Sequence, residues 1–85
     1  MSVDTIVTLG YDRRYYLVDE TVQDNKKYFL GTKLNNEDLP TTESEIFEEF
    51  KDDNGTYLTP VIDDEKLNSL AAIFLAKFKK LLEED

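Results

Sequence analysis

Between Leu67 and Leu82 the apolar side chains recur in steps of three and four: Leu67, Leu70, Ala71, Phe74, Leu75, Phe78, Leu81 and Leu82. At about 100° per residue they fall within an arc of roughly 140°, the pattern of an amphipathic helix that lays one face on a core. Asp63 stands where an N-cap is needed, and Asp64 and Glu65 bring negative charge to the first turn, where the helix dipole favours it. About 18 residues at 1.5 Å each give roughly 27 Å, enough to lie along a small sheet. Such a helix needs an apolar surface supplied by the rest of the chain.

The preceding segments read as strands. Val3 to Leu9 is rich in β-branched residues and alternates, with Val3, Thr5, Val7 and Leu9 on one face, until Gly10-Tyr11-Asp12-Arg13 interrupts it. Tyr15 to Val22 follows, with Tyr15 and Leu17 on one face and Tyr16, Val18 and Val22 on the other. Gln23-Asp24-Asn25-Lys26 is polar punctuation before a third run from Tyr28 to Leu34. Asn35 to Ser44 is a polar connection holding Pro40. Residues 43–50 admit two readings. Thr42 with Glu45 fits a capping box and would open a short helix carrying Ile46, Phe47 and Phe50 on one face. Alternatively Glu45 to Lys51 is a strand, returned by the Asn54-Gly55 hairpin signal into Thr56 to Ile62. The hairpin favours the strand. The expected fold is α+β: an antiparallel sheet of four to five strands, meander plus hairpin, packed on one C-terminal helix. With 85 residues, positions 1–85 form a single acidic domain, because no second core could be built.

Several of these runs resemble the small acidic bacterial YrzB-like proteins, a domain of unknown function. The matching segments are Thr5-Ile6-Val7-Thr8-Leu9, Lys27-Tyr28-Phe29-Leu30 and the stretch from Glu45 to Phe74. Within the last, Ile46 to Asp53 looks like that family's penultimate strand and acidic turn, and Tyr57 to Glu65 like its last strand running into the helix. The chain departs from the pattern at Leu34 to Ser44 and at Arg13-Arg14-Tyr15-Tyr16. The resemblance implies the strand reading of Glu45 to Lys51 and carries over no activity.

Charge is concentrated. The net charge is -9, and residues 36–65 hold eleven acids against Lys51 alone. Polyanions are repelled by such a surface, so direct nucleic-acid binding is not expected, although Arg13 and Arg14 lie among Tyr11, Tyr15 and Tyr16. Histidine and cysteine are absent, which removes the usual neutral-pH base, the commonest metal ligand and the thiolate nucleophile. Glu48-Glu49 and Asp63-Asp64-Glu65 are adjacent in sequence, and neighbours on a strand, as Glu48 and Glu49 would be, point to opposite faces, so they make poor catalytic dyads. Asp52-Asp53-Asn54-Gly55 lacks the spacing of a calcium loop, since Phe50 and Val61 occupy the positions that would need Asp and Glu. The expectation is therefore no catalytic residue, no metal and no cofactor. The lack of cysteine and of any long apolar run points to a cytoplasmic chain without membrane contact.

What remains is a binding surface. Glu48, Glu49, Asp52, Asp53, Asp63, Asp64 and Glu65 form the candidate docking set for a basic protein, joined by Ile73, which lies about 60° outside the helix stripe. The leading reading is a non-enzymatic binding or regulatory module, monomeric or weakly dimeric. The alternative is a phosphate-mimicking, DNA-like inhibitor of a nucleic-acid enzyme, phage-encoded in one version, which requires the carboxylates to stand in rows.

Overall fold

The computed structural model describes residues 3–83, with side chains to Lys80. Five strands, β1 (Thr5–Leu9), β2 (Arg13–Gln23), β3 (Lys26–Leu34), β4 (Pro40–Asp52) and β5 (Gly55–Pro60), pair antiparallel in sequence order. One helix, α1 (Asp64–Glu83), follows. The α+β class and the meander-plus-hairpin order agree with the sequence reading. The side chains of Leu81 and Leu82, counted in the helix stripe, lie outside the described residues.

The sheet is curled and has a core on each side. Residues opposite one another in an antiparallel ladder share a face, so the pairs Leu17↔Gly31, Phe29↔Phe47 and Glu49↔Leu58 mark the first face. There Tyr15, Leu17, Phe29, Phe47 and Leu58 pack together, with Val7 and Leu9 against them. Among the described residues no helix side chain joins this cluster. Leu17, Phe29 and Phe47 are nevertheless fully buried, because the curl brings strands from both ends of the sheet over the same centre. Gly31 permits the closest approach: a Cβ there would lie 3.0 Å from Cε2 of Phe47 and 3.4 Å from Cβ of Tyr15. The rings of Tyr15 and Phe47 meet edge to face at 5.1 Å, the arrangement their quadrupoles prefer.

The second face receives α1. Tyr28 and Ile46 pack with Leu70 and Phe74, and Leu30, Val61 and Leu67 complete the cluster. The helix begins where the sequence places it: the Glu65 amide donates to Asp63 Oδ1 at 3.0 Å, satisfying a first-turn donor.

Four expectations resolve differently or more sharply. Residues 43–50 are strand, with Glu45, Phe47 and Glu49 on one face and Ile46, Glu48 and Phe50 on the other. A helix would have turned Ile46 and Phe47 to one side, whereas the fold needs one on each. The polar connection ends at Leu39, and β4 starts at Pro40, paired with Leu34. Proline is tolerated as the first residue of a strand, and the Thr41 hydroxyl donates to the Lys33 carbonyl at 2.8 Å. Val22 shares the curled-core face rather than that of Tyr16, because the register shifts between Leu17 and Asp19 and reverses the alternation. The last hairpin turns on Asp53 and Asn54, one residue earlier than the Asn-Gly signal implies, with Gly55 at φ 133°. Asp52 Oδ1 accepts the Asn54 amide at 2.8 Å and holds that turn. Adjacent positive φ values fall instead on Asp24 and Asn25, between β2 and β3, and on Tyr11 and Asp12, between β1 and β2.

Candidate functional site

The contact surface that stands out is built by α1 crossing the sheet without covering it. Leu70 and Phe74 point down and are buried, while Leu75 and Phe78, from the same sequence stripe, remain 54% and 57% exposed. Ile62, in the segment before the helix, is 86% exposed. Between the helix flank and the strands runs an apolar groove of about 730 Å³. Leu30 and Ile46 supply its floor, Pro60 to Ile62 close one end, and Ala71, Leu75 and Phe78 form the helical wall. Ser44, Glu45 and Asn68 are its polar neighbours. At Phe78 the groove continues into a second hollow of about 490 Å³, which reaches Val18, Asp19, Lys77 and Lys80. The sequence assigned Leu75 and Phe78 to the core. The available signal was the width of the stripe: an arc of roughly 140° is broader than the narrow seam a single packing partner can cover.

The predicted docking residues are distributed, not collected. Glu48 lies buried under the helix with its carboxylate 3.6 Å from Lys66 Nζ. Glu49 faces the opposite side, its side chain only 5% exposed and 3.7 Å from Lys51 Nζ. Asp52 serves the hairpin turn, and Asp53 sits exposed at its tip. Asp63 caps α1, while Asp64 and Glu65 are exposed in or beside its first turn. Asp63, Glu65 and Ile73 do come together, in a shallow hollow of about 290 Å³ with Asp24, Tyr28 and Lys66. Ile73 is half-buried there, because the helix rotates that flank toward the β2–β3 turn. It is thus part of a hollow's floor, and the freely exposed apolar side chains are on the other flank.

Intramolecular pairing neutralises part of the acidity. Lys77 Nζ donates to Asp19 at 2.7 Å and to the Glu20 carbonyl, tying the end of the helix to β2. Lys27 bridges Glu20 at 2.8 Å and lies 5.1 Å from the centre of the Phe29 ring. Arg14 pairs with Asp38 at 2.6 Å and Lys33 with Glu43 at 3.4 Å. Tyr15 is in the core, and the Tyr16 hydroxyl donates to Asp4. The tyrosines and arginines near Tyr11 are therefore dispersed and form no stacking platform.

Among the described residues, five groups that titrate at alkaline pH are shifted, all upward. Burial raises Tyr15, helped by the nearby Glu45 charge. The hydrogen bond to Asp4 raises Tyr16, and the charge of Asp52 raises Tyr57. The hydrogen bond to Glu20 raises Lys27, and Tyr28 raises Lys66. In each case the fold holds the proton more tightly than the unfolded chain does. The resulting stability is complete below the ordinary values of about 10 to 10.5 and disappears as pH climbs through the raised ones. We expect these groups to add no slope to the melting temperature between pH 7 and 9, and to lower it progressively above pH 10. Circular dichroism melts paired with tyrosinate absorbance at 295 nm measure this; a melting temperature unchanged at pH 11 would contradict it.

Among the described residues, no helix is long and apolar enough to cross a membrane. Searches against protein-family models, curated proteins and solved structures return no match to this chain.

Proposed function

We propose that this protein is a cytosolic, non-enzymatic protein-docking module whose contact element is the groove between α1 and the sheet. The observation that carries the reading is the split fate of one helical stripe. Leu70 and Phe74 are buried, while Leu75, Phe78 and Ile62 stay wet around a cleft lined almost wholly by apolar side chains. Single exposed apolar residues are ordinary, but a contiguous apolar cleft is the usual form of a binding surface. The charge of -9 supports a partner that is basic overall, since long-range attraction speeds encounter between oppositely charged surfaces. The docking reading is preferred to the phosphate-mimicking alternative because Glu48 and Glu49 face opposite sides of the sheet. Kinship with the YrzB-like proteins belongs to the same proposal, supported by a strand from Ile46 into an acidic turn at Asp52-Asp53.

A photoreactive phenylalanine analogue placed at Leu75 in cells tests this reading, with the same analogue at Thr8 as control. Thr8 is exposed on β1, away from the groove lining. A discrete adduct from position 75 that is absent from position 8 is the expected result. Equal labelling from both positions, or none from position 75, would refute docking through this cleft.

A further inference from the structure

Resting on the docking reading, we infer that the groove takes one amphipathic helix of a partner, net basic and lying antiparallel to α1. The first argument is hydrogen bonding. The cleft floor is the face of a sheet at Leu30 and Ile46: Leu30 pairs with Asp19 on one side and Ile46 on the other, and the Ile46 carbonyl accepts the Val61 amide. An extended segment laid on that face would find no backbone partners, whereas a helix brings its own hydrogen bonds and needs only apolar contact.

The second argument is size. From Asp64 to Phe78 the helical wall spans fourteen residue steps, about 21 Å at helical rise, which accommodates roughly four turns of a neighbouring helix. Helices pack with axes 8–10 Å apart, so a second helix beside α1 would rest over Leu30, Ser44 and Ile46 and touch Ala71, Leu75 and Phe78.

Charge supplies the third argument and sets the direction. Asp64 lies on the helical flank of Ala71 and Leu75 at the Ile62 end, about 20° in helical angle from each. Lys80 lines the far hollow, and Lys79 is exposed beside it. A helix with a basic last turn near Asp64 and an acidic first turn near Lys79 and Lys80 complements both ends, and its dipole then opposes that of α1. The domain's overall charge of -9 favours an occupant whose remaining charges are positive. A second copy of this chain fits poorly. It brings its own charge of -9, which repels an identical surface.

The test uses the whole ¹⁵N-labelled protein and a synthetic 16-residue peptide with Leu at three- and four-residue steps, Glu in its first turn and Lys elsewhere. Two controls are a peptide of identical composition in non-amphipathic order, and one with every Lys replaced by Glu. Amide shifts are expected at Leu30, Ser44, Ile46, Asn68, Ala71 and Leu75, with affinity at least tenfold above either control. Leu75→Gln with Phe78→Gln, both at exposed positions, should reduce binding tenfold or more while leaving the spectrum of the folded protein intact. A nitroxide on the peptide's N-terminus should broaden Phe78 and spare Ile62.

Equal binding of the permuted peptide would overturn the helix inference while the crosslink from position 75 still upheld docking. Broadening at Ile62 would overturn the orientation. Shifts at the same residues on concentrating the protein alone would overturn the foreign partner in favour of a second copy. Absence of both peptide shifts and the position-75 adduct would remove the inference together with the reading beneath it.

Discussion

Phe47→Ala is expected to remove most of the stability of this domain. Phe47 is fully buried at the centre of the curled face, opposite Phe29 and Pro60 in the ladder and edge-on to Tyr15. Its ring fills the space beside Gly31 where no side chain stands. Truncation forfeits the transfer energy of the ring and leaves a cavity that a sheet pinned on both sides cannot close. Such changes cost about 3–5 kcal/mol. Whole domains are stable by only about 5–15 kcal/mol, and a chain of this length belongs near the lower limit. Urea denaturation followed by far-ultraviolet circular dichroism should show the midpoint falling by about half or more, or no folded baseline at 25 °C. A loss below about 1 kcal/mol would mean that the helix-free face is not a packed core.

The second large effect is a contrast within one helix. Phe74→Ala should destabilise by about 3–5 kcal/mol, because Phe74 is buried against Tyr28, Ile46 and Leu70. Phe78→Ala, one turn later on the same stripe, should change stability by no more than about 1 kcal/mol, since more than half of its surface is already in water. Hydrogen exchange at the α1 amides gives a second readout: exchange should accelerate throughout the helix in the first variant and stay near the parent rate in the second. Equal losses from the two substitutions would place the helix in a different rotation, with the groove closed. The same pair separates folding from docking, because only the Phe78 change should leave a folded protein with a damaged contact surface.

Much of the fold was legible because it is written in local periodicity. Val3 to Leu9 alternates, the helix repeats at 3.6 residues, and Asp63 occurs where a cap is required. Residues 43–50 were ambiguous, since Ile46-Phe47 adjacent in a polar run suits a helix face as well as a strand buried on both sides. Pro40 looked like part of a loop and is instead the first residue of a strand. The exchange of Val22 between faces could not be read at all: it depends on a register shift near Val18 that no local residue type announces.

The candidate site was less legible than the fold. The acidic set is dense along the chain, and the structure separates it. Glu48 goes under the helix, Glu49 to the curled core, Asp52 to a turn and Asp63 to a cap. Each of these is a structural task performed by a carboxylate. The apolar cleft arose where the sequence promised only core.

The alternation and spacing of apolar residues determined, without further help, that there would be five extended segments or nearly so, one amphipathic helix, and a strongly acidic middle. Those properties depend on residues within a turn or a pleat of one another. Only the tertiary structure decided which apolar faces are covered. The curl of the sheet buries one face without a helix, and the crossing of α1, anchored by Lys77 to Asp19 fifty-eight residues away, leaves Leu75 and Phe78 in water. Coverage is a relation between segments far apart in the chain, fixed by curvature, bulge and crossing angle, and local spacing carries no information about any of the three.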